Sequence, residues 1–185
     1  MMNKLNLQLK EETSRHSFLL LMEEISLQSV KTAVEWIFEA NFTEERPEML
    51  NMIVTSPGGD LNAAFALIDV MRGSAIPIRT IGLGQIASAG LMIFIAGDAG
   101  MRILTPNTSI LSHQYSWGAI GKEHELFATV REFDLTTKKM IQHYKKCTGL
   151  SEAKIREVLL PPQDVWLSPQ EAKKLGLCDD VKDLA

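Results

Sequence analysis

Ser88 stands in Ala87-Ser88-Ala89-Gly90, where an expected loop runs into an apolar helix. A hydroxyl there lies at the positive end of a helix dipole, which stabilises developing negative charge. Serine becomes a nucleophile beside an imidazole that takes its proton and a carboxylate that orients the imidazole. His113, at the end of an expected strand, and Asp164, in Pro161-Pro162-Gln163-Asp164, are side chains of the right types. Acyl transfer also needs backbone N–H groups aimed at an oxyanion, and the adjacent glycines of Ser56-Pro57-Gly58-Gly59 let an N–H point outward at a strand end. Each feature has a plainer reading. Ser88 fits a helix N-cap, His113 a packed or surface residue, Asp164 a loop acid, and the glycines a tight turn. Spacing alone leaves both sets of readings open.

Two other motifs fail on inspection. Gly82-Leu83-Gly84-Gln85-Ile86-Ala87 superficially fits a dinucleotide fingerprint, but the next strand ends in Thr105-Pro106-Asn107 and supplies no acid for a ribose. The nucleophile elbow G-x-S-x-G is broken by Ile86 in place of its first glycine.

The elements that must hold these residues alternate between strand and helix. Residues 17–22 read as a buried strand, and Ser26 caps a helix carrying Val30, Val34, Ile37 and Phe38 on one stripe. Residues 49–54 form the next strand. Asp60 opens a helix with Ala64, Leu67, Ile68 and Met71 on one face, and Gly73 closes it. A strand over 76–83, a loop over 84–87 and a short helix over 88–96 follow. This alternation predicts a mostly parallel sheet covered by helices. Short strands at 101–104 and 110–113 then precede a long helix near 122–146, with Leu126, Val130, Phe133, Met140, Ile141 and Tyr144 along one face. So long an amphipathic helix is expected to dock on a partner subunit. A helix over 151–159, a capped helix opening at Ser168-Pro169-Gln170-Glu171 and a strand over 177–181 complete the chain.

The 185 residues, 45% of them hydrophobic, suit one domain, and no repeat or linker divides them. A net charge of -4 gives no basic excess for nucleic acid. No apolar run approaches the roughly 20 residues that cross a bilayer. The N-terminus is too polar for a secretory signal and carries acids unlike a transit peptide, so a cytoplasmic location is expected. Cys147 and Cys178 form no metal or disulfide pattern, so neither a disulfide framework nor a metal is expected, and acyl transfer by a serine needs no organic cofactor.

Five separated segments carry a family likeness: Ser56-Pro57-Gly58-Gly59, Gly84 through Gly90, Pro106-Asn107-Thr108, His113-Gln114, and Asp164-Val165-Trp166-Leu167-Ser168-Pro169-Gln170-Glu171-Ala172. With Gly176-Leu177-Cys178-Asp179 they run in the order of the proteolytic subunit of the ATP-dependent caseinolytic protease, the ClpP family, which the chain resembles from about residue 16 to 182. The resemblance implies an α/β, crotonase-like ββα spiral: a head over about 16–114 and 147–182, and a protruding handle over about 115–146 made of a strand and the long helix. It implies Ser88 as nucleophile, His113 as general base, Asp164 as orienting acid, and the amides of Gly59 and Ala89 as the oxyanion hole.

By the same resemblance a peptide binds as an added strand along Pro57, Gly58 and the segment Gln114, Tyr115, Ser116, Trp117, Gly118. The handles interlock two heptameric rings into a tetradecamer, and an AAA+ unfoldase of the ClpX, ClpA or ClpC kind feeds unfolded chains into it. The sequence departs from the family pattern in places. Tyr115-Ser116-Trp117 is bulky where the family is glycine-rich, Gln163 and Val165 replace charged neighbours of the acid, and Asn51, Ile53 and Ile103 replace aromatic residues of the unfoldase-docking pocket. The segment before the first strand is short for the family's axial loop. Two alternatives stand beside a serine endopeptidase: a crotonase-fold acyl-CoA enzyme, for which only Asp60 offers an acid near the glycines, and a regulatory subunit of a mixed ring.

Overall fold

The computed structural model describes residues 15–184. Strands β1 (His16–Leu21), β2 (Met49–Ser56), β3 (Ile78–Ala87), β4 (Arg102–Leu104) and β7 (Asp180–Val181) lie side by side in that order, and every pair along this path is parallel. Parallel neighbours need crossover connections, and helices provide them. Helix α1 (Leu27–Phe42) links β1 to β2, and α2 (Leu61–Gly73) links β2 to β3. Ser26 caps α1 in a capping box with Ser29, and Asp60 caps α2 by accepting from the N–H groups of Asn62 and Ala63. Val30, Ala33 and Ile37 of α1, and Ala64, Leu67 and Ile68 of α2, are buried in one core with Leu50, Met52 and Val54 of β2.

Strand β3 serves two partners. Its first half pairs with β4 (Thr80↔Arg102 to Gly82↔Leu104) and its second with β5 (Ser109–Ser112), through Gln85↔Ser109 to Ala87↔Leu111. Residues 84–87, expected as a loop because of their glycine, therefore continue the strand. Between Val54↔Gly82 and Ser56↔Ile86, β3 has four steps against two on β2. Thr55 Oγ1 donates to the carbonyl of Leu83 in this bulge, at 2.9 Å, so the irregularity leaves that oxygen satisfied.

β3 leads into the short helix α3 (Ala89–Phe94), whose six residues are all buried. The long helix α4 (Glu123–Thr148) has 26 residues, about 39 Å of length at 1.5 Å per residue. Met140, Ile141 and Tyr144 of its C-terminal half are in the core, whereas Leu126, Phe127, Val130 and Leu135 are exposed. The stretch 115–122, expected to hold the strand of the handle, forms no ladder within this chain. Instead Tyr115 and Trp117 lie on the Phe133 ring, with centroids 5.8 and 5.2 Å away. Helix α5 (Glu152–Val158) and helix α6 (Pro169–Lys174) follow, capped by Ser151 and by a Ser168/Glu171 capping box. Between them lies β6 (Val165–Leu167), a strand not anticipated from the sequence, which pairs with β5 as the one antiparallel partner among the described residues. The N-terminal segment before β1, expected to be short for an axial loop, lies outside the described residues, and no described helix is long and apolar enough to cross a membrane.

Candidate active site

The end of β3 brings the serine to its place. The Ser88 N–H donates to the Leu111 carbonyl at 3.0 Å, pinning the strand end beside β5, two residues before His113. The backbone of Ser88 then adopts φ 53° and ψ -121°, the only positive φ of a non-glycine residue among those described. A left-handed conformation at a side-chain-bearing residue stores strain, and such strain collects at functional sites. It is also the sharp strand-to-helix turn of a nucleophile elbow, reached here without that motif's first glycine.

The side-chain partner of Ser88 bears on the two readings of this residue. Ser88 occupies the N-cap position of α3, yet its side chain makes no capping hydrogen bond. Its Oγ lies 2.7 Å from His113 Nε2 instead. Ser88 is half-buried and so is His113, which leaves the pair sheltered but reachable.

Asp164 is placed by the antiparallel ladder. The register Ile110↔Leu167, Leu111↔Trp166, Ser112↔Val165 ends one residue short of both: His113 directly follows Ser112, and Asp164 directly precedes Val165 on the antiparallel partner. No hydrogen bond joins them: Asp164 is exposed, and neither its carboxylate nor His113 Nδ1 has a partner among the described residues.

Gly58 and Gly59 do different things. Gly58 has φ 102°, and a Cβ built on it would stand 2.6 Å from Ser88 Cβ, so only glycine lets β2 and the serine come this close. Its N–H donates to Ser56 Oγ and its carbonyl accepts from Ile25 N–H, at 3.1 and 2.7 Å. Both backbone groups of Gly58 are thus engaged within the chain, its carbonyl by one of the two hydrogen bonds it can accept. Gly59 has φ 138°, and a Cβ there would meet the Ile25 carbonyl at 2.2 Å. The N–H groups of Gly59 and Ala89 donate to no acceptor among the described residues, as oxyanion donors must be free to do.

The remaining expected residues are distributed as follows. Pro57 is exposed at the turn. Gln114 Nε2 donates to the Leu160 carbonyl at 3.0 Å, committing that side chain to the fold. Ser116 is exposed beside Tyr115 and Trp117. Under this segment lies a cavity of about 140 Å³ lined by Gln114, Tyr115, Phe133, Thr137, Met140, Arg156 and Leu160, where Thr137 Oγ1 has no partner among the described residues. Thr137 and Met140 come from α4, far away in sequence, and no local motif announces them. Asp60, the acid that an acyl-CoA enzyme would need, is spent capping α2. No group of three or more possible metal ligands occurs among the described residues.

Comparisons with known proteins supply the family. Residues 4–184 match the sequence model of the Clp protease family. An ATP-dependent Clp protease proteolytic subunit of Deinococcus radiodurans is 34% identical over 140 residues, covering 75% of this chain and 68% of its own. A protein of the same name from Paracoccus denitrificans is 33% identical over 138 residues, with the same coverage. The strained serine, the histidine beside it and a match along almost the whole sequence lead to one assignment: the chain belongs to the Clp protease family, a family of serine peptidases.

Proposed function

We propose that this chain cleaves peptide bonds with Ser88 as nucleophile, His113 as general base and Asp164 as the acid that orients the imidazole. The observation that carries the reading is the 2.7 Å approach of Ser88 Oγ to His113 Nε2, made by a serine that forgoes its cap. His113 Nε2 accepts the hydroxyl proton as Oγ bonds to the substrate carbonyl carbon, and the amides of Gly59 and Ala89 receive the oxyanion. The proton then passes from Nε2 to the leaving amine, giving an acyl-enzyme that water hydrolyses by the same steps. Asp164 accepts from Nδ1–H and keeps Nε2 as the basic nitrogen. A peptide lies as an added strand by Gly59 and residues 115–118, with one side chain directed to the cavity bounded by Thr137 and Met140.

The same proposal includes assembly into heptameric rings, stacked as a tetradecamer, with unfolded polypeptide delivered by an AAA+ unfoldase in the cytoplasm. Supporting it are the uncovered apolar side chains Phe127, Val130 and Leu135 of α4 and the ATP dependence in the names of the relatives. Intact-mass analysis after fluorophosphonate treatment tests the chemistry, because only an activated serine reacts readily. One adduct is expected, mapping to Ser88, absent in Ser88→Ala and suppressed in His113→Ala. An adduct elsewhere, or none in the assembled protein, overturns the reading.

A further inference from the structure

Helix α3, which starts at the serine, is too short to hold itself, and the carbonyls of its last turn need partners. The Leu91 and Ile93 carbonyls accept from the N–H groups of Ile95 and Ala96, and the Phe94 carbonyl accepts from Thr80 Oγ1. The Met92 carbonyl is met from outside, by His143 Nε2 of α4 at 2.8 Å. His143 is 2% exposed, and its Nδ1 stands 2.6 Å from the Arg72 guanidinium. A guanidinium can only donate, so Nδ1 is the acceptor and Nε2 carries the ring hydrogen that goes to Met92. The Phe65 ring closes the pocket edge-on, its centroid 6.2 Å from the imidazole.

The next residue of the same helix turns to the other half of the site. Tyr144, 1% exposed, has its hydroxyl 2.7 Å from Ser112 Oγ. Ser112 donates its one hydrogen to the Leu159 carbonyl at 2.6 Å, so Tyr144 O–H donates to Ser112 Oγ. Ser112 is the residue immediately before His113. Two consecutive side chains of α4 thus hold the helix that bears the nucleophile and the strand that bears the base.

We infer that His143 and Tyr144 are positioning residues that set the separation of Ser88 and His113 by fixing the Met92 carbonyl and the Ser112 hydroxyl to one rigid helix. The inference rests on the Ser88–His113 reading above. A misplacement of about 1 Å between reacting groups costs about a hundredfold in rate, so small slack in either bond is felt in the chemistry. The outer half of α4 is exposed, and movement of that half reaches both bonds through the same helix.

Three variants test this in the full-length protein. His143→Leu removes the donor, His143→Gln keeps an N–H for the Met92 carbonyl, and Tyr144→Phe removes one oxygen. The expected result is at least a tenfold fall, roughly, in fluorophosphonate labelling and kcat for His143→Leu and Tyr144→Phe, with KM within about twofold. His143→Gln is expected to stay within about threefold of the unaltered protein. Crystal structures of the variants give a readout independent of activity: Ser88 Oγ to His113 Nε2 lengthens beyond about 3.5 Å in His143→Leu and not in His143→Gln. Should His143→Leu fail to fold, Tyr144→Phe decides alone. Unchanged labelling and an unchanged distance overturn the inference, as does equal loss in the Gln and Leu variants, which assigns His143 to packing. A protein unlabelled at Ser88 whose distance still responds to these variants refutes the serine chemistry and leaves the positioning role standing.

Discussion

A Cβ on Gly58 would lie 2.6 Å from Ser88 Cβ and 3.3 Å from its Oγ, so the turn after β2 is the wall against which the serine is held. Gly58→Ala must displace one of the two and must also hold alanine at φ 102°. The expected outcome is a fall in Ser88 labelling of about a hundredfold or more, with a stability loss of about 1–3 kcal/mol. Labelling rates and urea melts measured on the same preparation check it. A variant that melts earlier but labels at full rate would show that the serine does not depend on this wall.

Asp164 makes no hydrogen bond with the described residues and is exposed, so its removal has little to destabilise. Asp164→Asn is expected to leave the thermal midpoint nearly unchanged while lowering kcat by about a hundredfold to ten-thousandfold, because the imidazole would lose the carboxylate proposed to fix its tautomer. Steady-state kinetics beside a thermal melt separates the two effects. Full activity in Asp164→Asn removes it from the mechanism.

His143 gives stability a pH dependence. Burial is the main cause of its titrating at about 4 instead of 6.5; Arg72 and Lys146 add repulsion, while the bond to Met92 and the charge of Asp69 oppose the shift. Between those values the unfolded chain takes up a proton that the folded chain refuses. Stability from this source is complete above about pH 6.5 and drains as pH falls toward 4, by on the order of 3 kcal/mol. Denaturant titrations at pH 7 and 5 are expected to show the loss, and His143→Gln to reduce it. Equal losses in both proteins would place the dependence elsewhere.

Arg102 and Asp179 form the most buried ion pair described, at 2.7 Å, and Arg102 also donates to the Cys147 carbonyl at the end of α4. Burial pushes the Asp179 carboxyl up, but the hydrogen bonds from Arg102 outweigh it and hold the carboxyl below its ordinary range. Arg102→Leu strands that carboxylate and frees the helix end, at an expected cost of about 3 kcal/mol by chemical denaturation. A cost below about 1 kcal/mol would mean that water replaces the arginine.

Phe127 and Val130 are 68% and 45% exposed. Changing both to Glu is expected to leave the stability of a single subunit within about 0.5 kcal/mol while abolishing its assembly. Sedimentation velocity reads the outcome directly. Unaltered particle size would take this face out of the proposed interface.

The order of elements could be read from the sequence because its signals are local. Ser26, Asp60, Ser151 and Ser168 cap the helices that their spacing announces, and the parallel sheet follows from strand and helix alternating. The site was legible only through likeness to a family, since no periodicity links position 88 to 113. Their meeting depends on the Ala87↔Leu111 register, a long-range fact. Strand β6 was missed because three residues after a proline pair carry no alternation to detect. The bulge in β3 was read as a loop because its glycines signal a turn, whereas the ladder resumes beyond them. Tyr144 reads as part of the apolar stripe of the long helix and His143 carries no signal of its own, and nothing local told that their polar atoms reach two other elements.

The bulge at 83–85 has one more effect, which concerns arithmetic. Side chains along a strand alternate between faces, so the direction in which Ser88 leaves β3 depends on how many residues separate it from Gly82, where the ladder with β2 was last regular. Leu83 and Gln85 can change identity at little cost to that parity, but their number cannot change by one. A single deletion there is expected to present the neighbour of Ser88 to His113: a lesion of counting that spares every residue of the proposed catalytic set.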